Sequence, residues 1–204
     1  MKYSIPTLSA VALILSCNTS LAQDIPQPTT ALIDEAVIAD IREFLDAPIV
    51  WKSVVARNKS TAGLSEAEID VLDKQWRAER EVEDQPIVAS VLTSPLSSYL
   101  TRIQAGSLGL YSEMFVMDTV GLNVGQSATT SDYWQGDEAK FQKMFPEGPE
   151  AVFVDEAEFN DDTGTWRAQV NLTVVGPEGT PIGAATVEMN LTELQRRKLL
   201  GLNS

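Results

Sequence analysis

Near the middle of the chain the hydrophobic period changes, and this decides what the two halves can become. From Leu32 to Ile103 apolar residues recur at helical spacing, whereas from 108 to 190 they fall in short β-rich runs separated by Gly, Pro, Asn or Asp. A 3.6-residue stripe lines one face of a helix and a two-residue alternation lines one face of a strand, so the halves form different layers. Helices first and strands second predict an α+β domain. Leu32, Ala36, Val37, Ile41, Phe44 and Leu45, followed by Ile49, Val50, Val54 and Val55, predict a long amphipathic helix over 29–58, kinked or broken at Pro48. Ser65-Glu-Ala-Glu68 has the form of a capping box ahead of Ile69, Val71, Leu72 and Trp76, opening a helix that runs to about Val82. Gln85-Pro86 opens a further helix, disturbed at Pro95 and ended near Gly106.

The second half reads as five antiparallel strands over 108–117, 122–127, 151–159, 165–175 and 182–190. Turn sequences at Asn160–Gly164 and Gly176–Gly179 join the last three as a meander. Leu191 to Leu202 reads as a final amphipathic helix, with Arg196, Arg197 and Lys198 toward its C-terminus. The antiparallel run is interrupted once, at 118–145. There a hairpin turn at Asp118–Gly121 leads to small hydroxyl and methyl residues at 127–131, then Asp132-Tyr133-Trp134-Gln135, then a helix over Asp137–Phe145. A loop-helix insertion of this kind covers the free face of the sheet and leaves a cavity beneath it.

Carboxylate, phenol, indole and amide in consecutive positions suit a small-molecule site, since each aromatic offers an apolar body and a polar tip. The candidate ligand-binding residues are therefore Asp118, Ser131, Asp132, Tyr133, Trp134 and Lys140. Tyr133 or Trp134 closes over the solute, Ser131 and Asp132 hold the loop, and Asp118 or Lys140 supplies a charge near the mouth. Asp118 favours an ammonium, Lys140 a carboxylate, and the two together a zwitterion such as an amino acid. The plainer alternative is an aromatic pair that plugs the core.

Two other acidic stretches carry less. The carboxylates between Glu66 and Glu83, interleaved with Lys74, Arg77 and Arg80, read as a solvated helix face. Asp155–Gly164 has alternating ligand types like a calcium loop, but its glycine comes one place late, and it reads as a hairpin turn. No metal and no cofactor is expected.

A chain of 204 residues, 44% of them hydrophobic, suits one well-buried domain. Its net charge of −14 repels nucleic acid and anionic membranes. There is no histidine, and the one cysteine is Cys17, so histidine triads and His/Cys zinc sites are excluded. Met1 to Ala22 carries Lys2, an apolar run from Leu8 to Leu15 and small residues before the cut, which reads as an export signal. The folded part is thus expected to be periplasmic. Ile14-Leu15-Ser16-Cys17 also resembles a lipobox, which would leave the domain lipid-anchored through Cys17. The chain divides into a signal peptide over 1–22 and one domain over 23–204, with a helical lead-in at 29–105, sheet and pocket at 108–190 and a C-terminal helix at 191–202.

The run from Met117 to Phe141, with Asp-Thr-Val-Gly and Asp-Tyr-Trp-Gln-Gly-Asp-Glu, resembles the first hairpin and binding loop of Cache domains, the PAS-like, PDC-type extracytoplasmic sensors. Leu64–Glu79 is similar to the family's helical lead-in and Gly176–Leu191 to its last hairpin, so the resemblance covers about 30–192. It implies long N-terminal helices packed on a five-stranded antiparallel PAS-like sheet. It places a pocket between that sheet and the insertion, for amino acids, carboxylates or amines. Most Cache domains are followed by a membrane helix and a signalling module; a stand-alone member would be the binding half of a sensor, reporting to a membrane kinase, chemoreceptor or transporter. Two functions remain open, a solute-binding sensor and a structural or interaction protein with an unused pocket. Catalysis is not expected, because Ser127 and Ser131 lack a histidine partner and no spacing isolates Lys140 as an acid or base.

Overall fold

The computed structural model describes residues 26–202; the expected export signal, Cys17 and Gln23 lie outside the described residues. Five helices come first: α1 (Glu35–Leu45), α2 (Pro48–Thr61), α3 (Glu66–Glu79), α4 (Pro86–Leu92) and α5 (Pro95–Gly106). Their boundaries follow local chemistry. The helix expected over 29–58 divides because Pro48 lacks an amide hydrogen and fits only the first turn of α2. Asp34 caps α1 by accepting from the Val37 amide at 3.1 Å. Ser65 and Glu68 form both halves of the capping box on α3. That helix stops at Glu79, short of Val82, and the Glu79 carboxylate turns forward to accept from the amides of Ile87 and Val88 at 2.7 and 3.1 Å, capping α4.

The sheet contains β1 (Tyr111–Met117), β2 (Asn123–Gln126), β3 (Val152–Val154), β4 (Glu158–Asn160), β5 (Thr165–Val175) and β6 (Pro181–Asn190). All pairs are antiparallel, in the order β2-β1-β6-β5-β3, with β4 also on β5. Six strands replace the five expected, because the run over 151–159 is broken. Val154 pairs with Val170 and Glu158 with Arg167, so the edge strand advances four residues while β5 retreats three. The extra residue is a β-bulge at 155–157. The expected helix over 137–145 is also shorter: α6 (Ala139–Gln142) is one turn, followed by a 3-10 turn at Phe145–Glu147. A final helix, α7 (Leu191–Leu199), closes the described chain.

One face of the sheet is covered by helices. Val37, Ile41, Val50, Val54, Leu96 and Leu100 pack on Met114, Val116, Val170, Leu172, Val187 and Met189, all buried. Each such side chain contributes about 1.5–3 kcal/mol. With that face filled, any solute site in the sheet lies on the other.

Candidate functional site

Alternation along the strands decides what that second face presents. Glu113, Phe115 and Met117 of β1, Ala184, Thr186 and Glu188 of β6, and Arg167, Gln169, Asn171 and Thr173 of β5 have the opposite parity from the helix-side core. They form three zones. At one end Phe115, Met117 and Ala184 are covered by Phe141 and Met144 of the insertion, with Phe145 and Phe153 alongside. In the middle a polar set is closed on itself: Thr186 Oγ1 donates to Asn171 Oδ1 at 2.7 Å, and Thr173 Oγ1 donates to the Met144 carbonyl at 3.2 Å. At the far end the insertion lifts away and leaves a cavity of about 480 Å³.

Charges line this cavity. Arg167 and Glu188 stand on its floor, joined at 2.7 Å, and Lys140 overhangs it, joined to Glu138 at 3.0 Å and lying 5.3 Å from the centre of the Phe115 ring. Asp155, Glu156 and Glu158 form the rim: Asp155 follows Phe153 by two residues and keeps the regular alternation, bonding Gln169 through its amide, and the bulge after it brings Glu158 opposite Arg167 on the same face. Both cations are therefore already held by a carboxylate, and further carboxylates surround them. Beside the floor, Glu113 pairs in register with Glu188. Burial, and then the Glu188 charge, push the Glu113 carboxyl up to about 7, against the pull of Lys140 and Arg167. Because this value is raised, Glu113 adds stability that is full below the ordinary glutamate range and is lost as pH rises through about 7.

Of the six candidates from the sequence, Lys140 lines the cavity. The other five gather elsewhere, where the hairpin tip and the following loop meet α2 and α3. Tyr133 is buried and stacks on Trp76 at 5.0 Å and 8°, while its hydroxyl meets Arg57. The amides of Tyr133 and Trp134 both donate to Asp73 Oδ1, at 2.9 and 3.0 Å. Trp134 Nε1 donates to the Val120 carbonyl at 2.7 Å, folding the indole over the hairpin. Gly121 and Gly136 permit that fold. A Cβ on Gly136 would collide with Trp134 Nε1, and one on Gly121, which has φ +87°, would collide with the Gly136 backbone. Asp132 pairs with Arg77 at 3.0 Å and accepts from the exposed Ser131 hydroxyl at 2.9 Å. Asp118, expected near a mouth, is fully buried, its Oδ1 accepting from the amides of Val120 and Leu122 at 3.0 and 2.9 Å. Its carboxyl is shifted upward by burial, opposed by those amides and by Arg57 at 3.9 Å.

No protein-family model matches the chain, and no curated protein matches it. Among solved structures it is similar to the ligand-binding domain of the Pseudomonas aeruginosa PAO1 amino acid chemoreceptor PctC in complex with GABA, at 16% identity and TM-score 0.39, over 78% of this chain and 61% of that one. It is similar to the sensory domain of the Campylobacter jejuni chemoreceptor Tlp3, at 16% and 0.39, over 82% and 65%. The sensor domain of the V. cholerae histidine kinase DctB matches at 12% and 0.35, over 82% and 56%. The chain thus spans less than two thirds of the length of each. At these TM-scores the likeness carries no argument, and the architecture rests on strand order: a five-place antiparallel sheet with the last hairpin at its centre, helices on one face and a loop-helix insertion on the other. The fold is PAS-like.

In this PAS-like sheet the residues missed by sequence reasoning are Glu113, Arg167, Glu188 and the bulge carboxylates. Charges at alternate strand positions look like an ordinary solvent face, and only the pairing register brings Glu113 opposite Glu188. The acidic surface of α3 needs a correction too. Glu66, Glu68 and Asp70 are exposed as expected, but Asp73 and Glu79 are buried and hold backbone amides. A signal for Asp73 existed: it follows Ile69 by four residues and precedes Trp76 by three, on the same helix face.

Proposed function

We propose that this PAS-like domain is an exported sensor module that binds a small ammonium-bearing solute, an amino acid foremost, in the cavity floored by Arg167 and Glu188 and overhung by Lys140. The observation that carries this reading is the pairing of both cavity cations among surplus carboxylates. A zwitterion can enter by exchange: its carboxylate takes Arg167 or Lys140, and its ammonium takes the carboxylate released, so that no ion pair is lost without a replacement. Ser131, Asp132, Tyr133, Trp134 and Asp118 act at one remove, pinning the loop that carries Lys140 to α2 and α3. The occupied state is reported to a membrane kinase, chemoreceptor or transporter. Among the described residues no helix is long and apolar enough to cross a membrane.

The test is a thermal-shift screen of amino acids, amines and short carboxylates. A solute at a hundred times its dissociation constant stabilises the fold by about 2.7 kcal/mol. Arg167→Ala and Lys140→Ala should fold and lose that shift; a shift that survives both removes the cavity from the function. A second reading, an interaction protein with an unused pocket, draws on α7, where Leu199 and Leu200 stand exposed with Phe159 along an apolar groove. It would be favoured if no solute stabilises the chain. Export itself is checked by mass spectrometry of the protein from its native host. Gln23 is expected as the first residue, and an acylated Cys17 would mean a lipid-anchored domain instead.

A further inference from the structure

We propose that Glu113 is the point at which a proton and the ammonium group of the solute compete, so that the cavity loads at neutral pH and discharges in acid. This rests on the reading of the cavity as a solute site, and it adds a residue and a regulation that the reading does not contain.

The geometry carries it. Glu113 on β1 and Glu188 on β6 are direct partners in an antiparallel pair, an arrangement in which like charges destabilise. One arginine is within reach of the pair, and it is committed: Arg167, from β5, bonds Glu188 at 2.7 Å. Lys140, from α6 above, is likewise committed to Glu138 at 3.0 Å. Beyond β1 on the other side lies Ser127, whose hydroxyl accepts from the Met114 amide, and it brings no charge. The charged groups acting on Glu113 are therefore Glu188, which opposes its ionisation, and Arg167 and Lys140, which favour it without an ion pair. Glu113 is thus left without a cation of its own. Either a proton on Glu113 or an ammonium beside it makes up for that, and one excludes the other. In support, burial and Glu188 together hold this carboxyl near 7, the range in which such a competition would act under ordinary conditions.

The consequence is quantitative. When binding expels one proton, affinity falls about tenfold for each unit of pH below the titration of the free site. The experiment is isothermal titration of the full exported chain with L-alanine and with 1,4-diaminobutane, whose ammonium groups stay protonated across about pH 5.5 to 8.5. Carbon-13 titration of the glutamate carboxyls is run alongside. Expected are a Glu113 carboxyl that titrates near 7, an affinity that weakens about tenfold per unit below it, and proton release on binding. Glu113→Gln, an isosteric change that removes a half-buried charge, should flatten the pH dependence. Glu188→Gln removes the repulsion and frees Arg167, so it should move the midpoint downward. A Glu113 carboxyl that titrates in the ordinary glutamate range overturns the proposal without any solute. Binding whose strength ignores pH overturns it while leaving the solute site standing. Failure of both probes to bind at the alkaline end overturns the two together.

Discussion

Replacing Tyr133 by alanine should cost about 3–5 kcal/mol, and the loss should be the same with and without solute. The ring is buried against Trp76, 5.0 Å away and nearly parallel, so truncation opens a cavity that a rigid helix and hairpin cannot collapse around. The hydroxyl adds a bond to Arg57, itself close to the buried Asp118. Loss of both leaves the tip of the β1–β2 hairpin held to α2 through Asn58, whose Oδ1 accepts from the Thr119 amide at 2.9 Å. For a domain of this size, a change of this order lowers the melting temperature on the order of 10 °C. Tyr133→Phe separates the two contributions, because it keeps the stack and removes the bond, at about 1.5–3 kcal/mol. Urea denaturation of both variants checks the values. An alanine variant that melts like the parent but no longer responds to solute would move Tyr133 from the scaffold into the site.

Asp73→Ala should be nearly as damaging, at about 2–4 kcal/mol, although it removes a carboxylate from a helix whose other acids are exposed. One oxygen accepts from two successive amides, of Tyr133 and Trp134, and no other acceptor faces them among the described residues. Without it two amides are left unpaired where the loop meets α3. Asp73→Asn retains a carbonyl oxygen in the same place and should recover much of the loss. Arg77→Ala provides the contrast. It removes the partner of Asp73 and Asp132, but the Arg77 side chain is 58% exposed, and such pairs are worth about 0–1 kcal/mol. Hydrogen exchange gives the local readout: in Asp73→Ala the amides of residues 133 and 134 should exchange quickly while those of β5 and β6 stay protected. Uniform loss of protection would mean that Asp73 supports the whole fold and not this loop.

These cases show how far a sequence can be read. The change of period near residue 107 separated helices from strands because each layer buries one face and leaves its period in the apolar residues. Prolines 48 and 95 marked true boundaries because a missing amide hydrogen is a local fact. The bulge at 155–157 was hidden, since one extra residue in a short, partly exposed edge strand leaves its composition unchanged. The cavity was half legible. Lys140, a candidate from its place in the insertion, lines the cavity, whereas Arg167, Glu188 and Glu113 sit far apart along the chain and meet only through register. The aromatic pair, equally open to both readings, is placed on α3 and the hairpin by bonds from its own backbone.

The bulge has a second effect, on how molecules of this protein treat one another. An edge strand offers unpaired amides and carbonyls to any neighbouring chain, and a long flat one invites strand addition and aggregation. Here that edge is cut into two pieces of three residues, kinked between them, with Asp155, Glu156 and Glu158 along the break. A second copy arriving there would meet a bent ladder and a row of its own negative charges. The same extra residue that brings Glu158 to the cavity thus keeps the sheet from growing past its last strand.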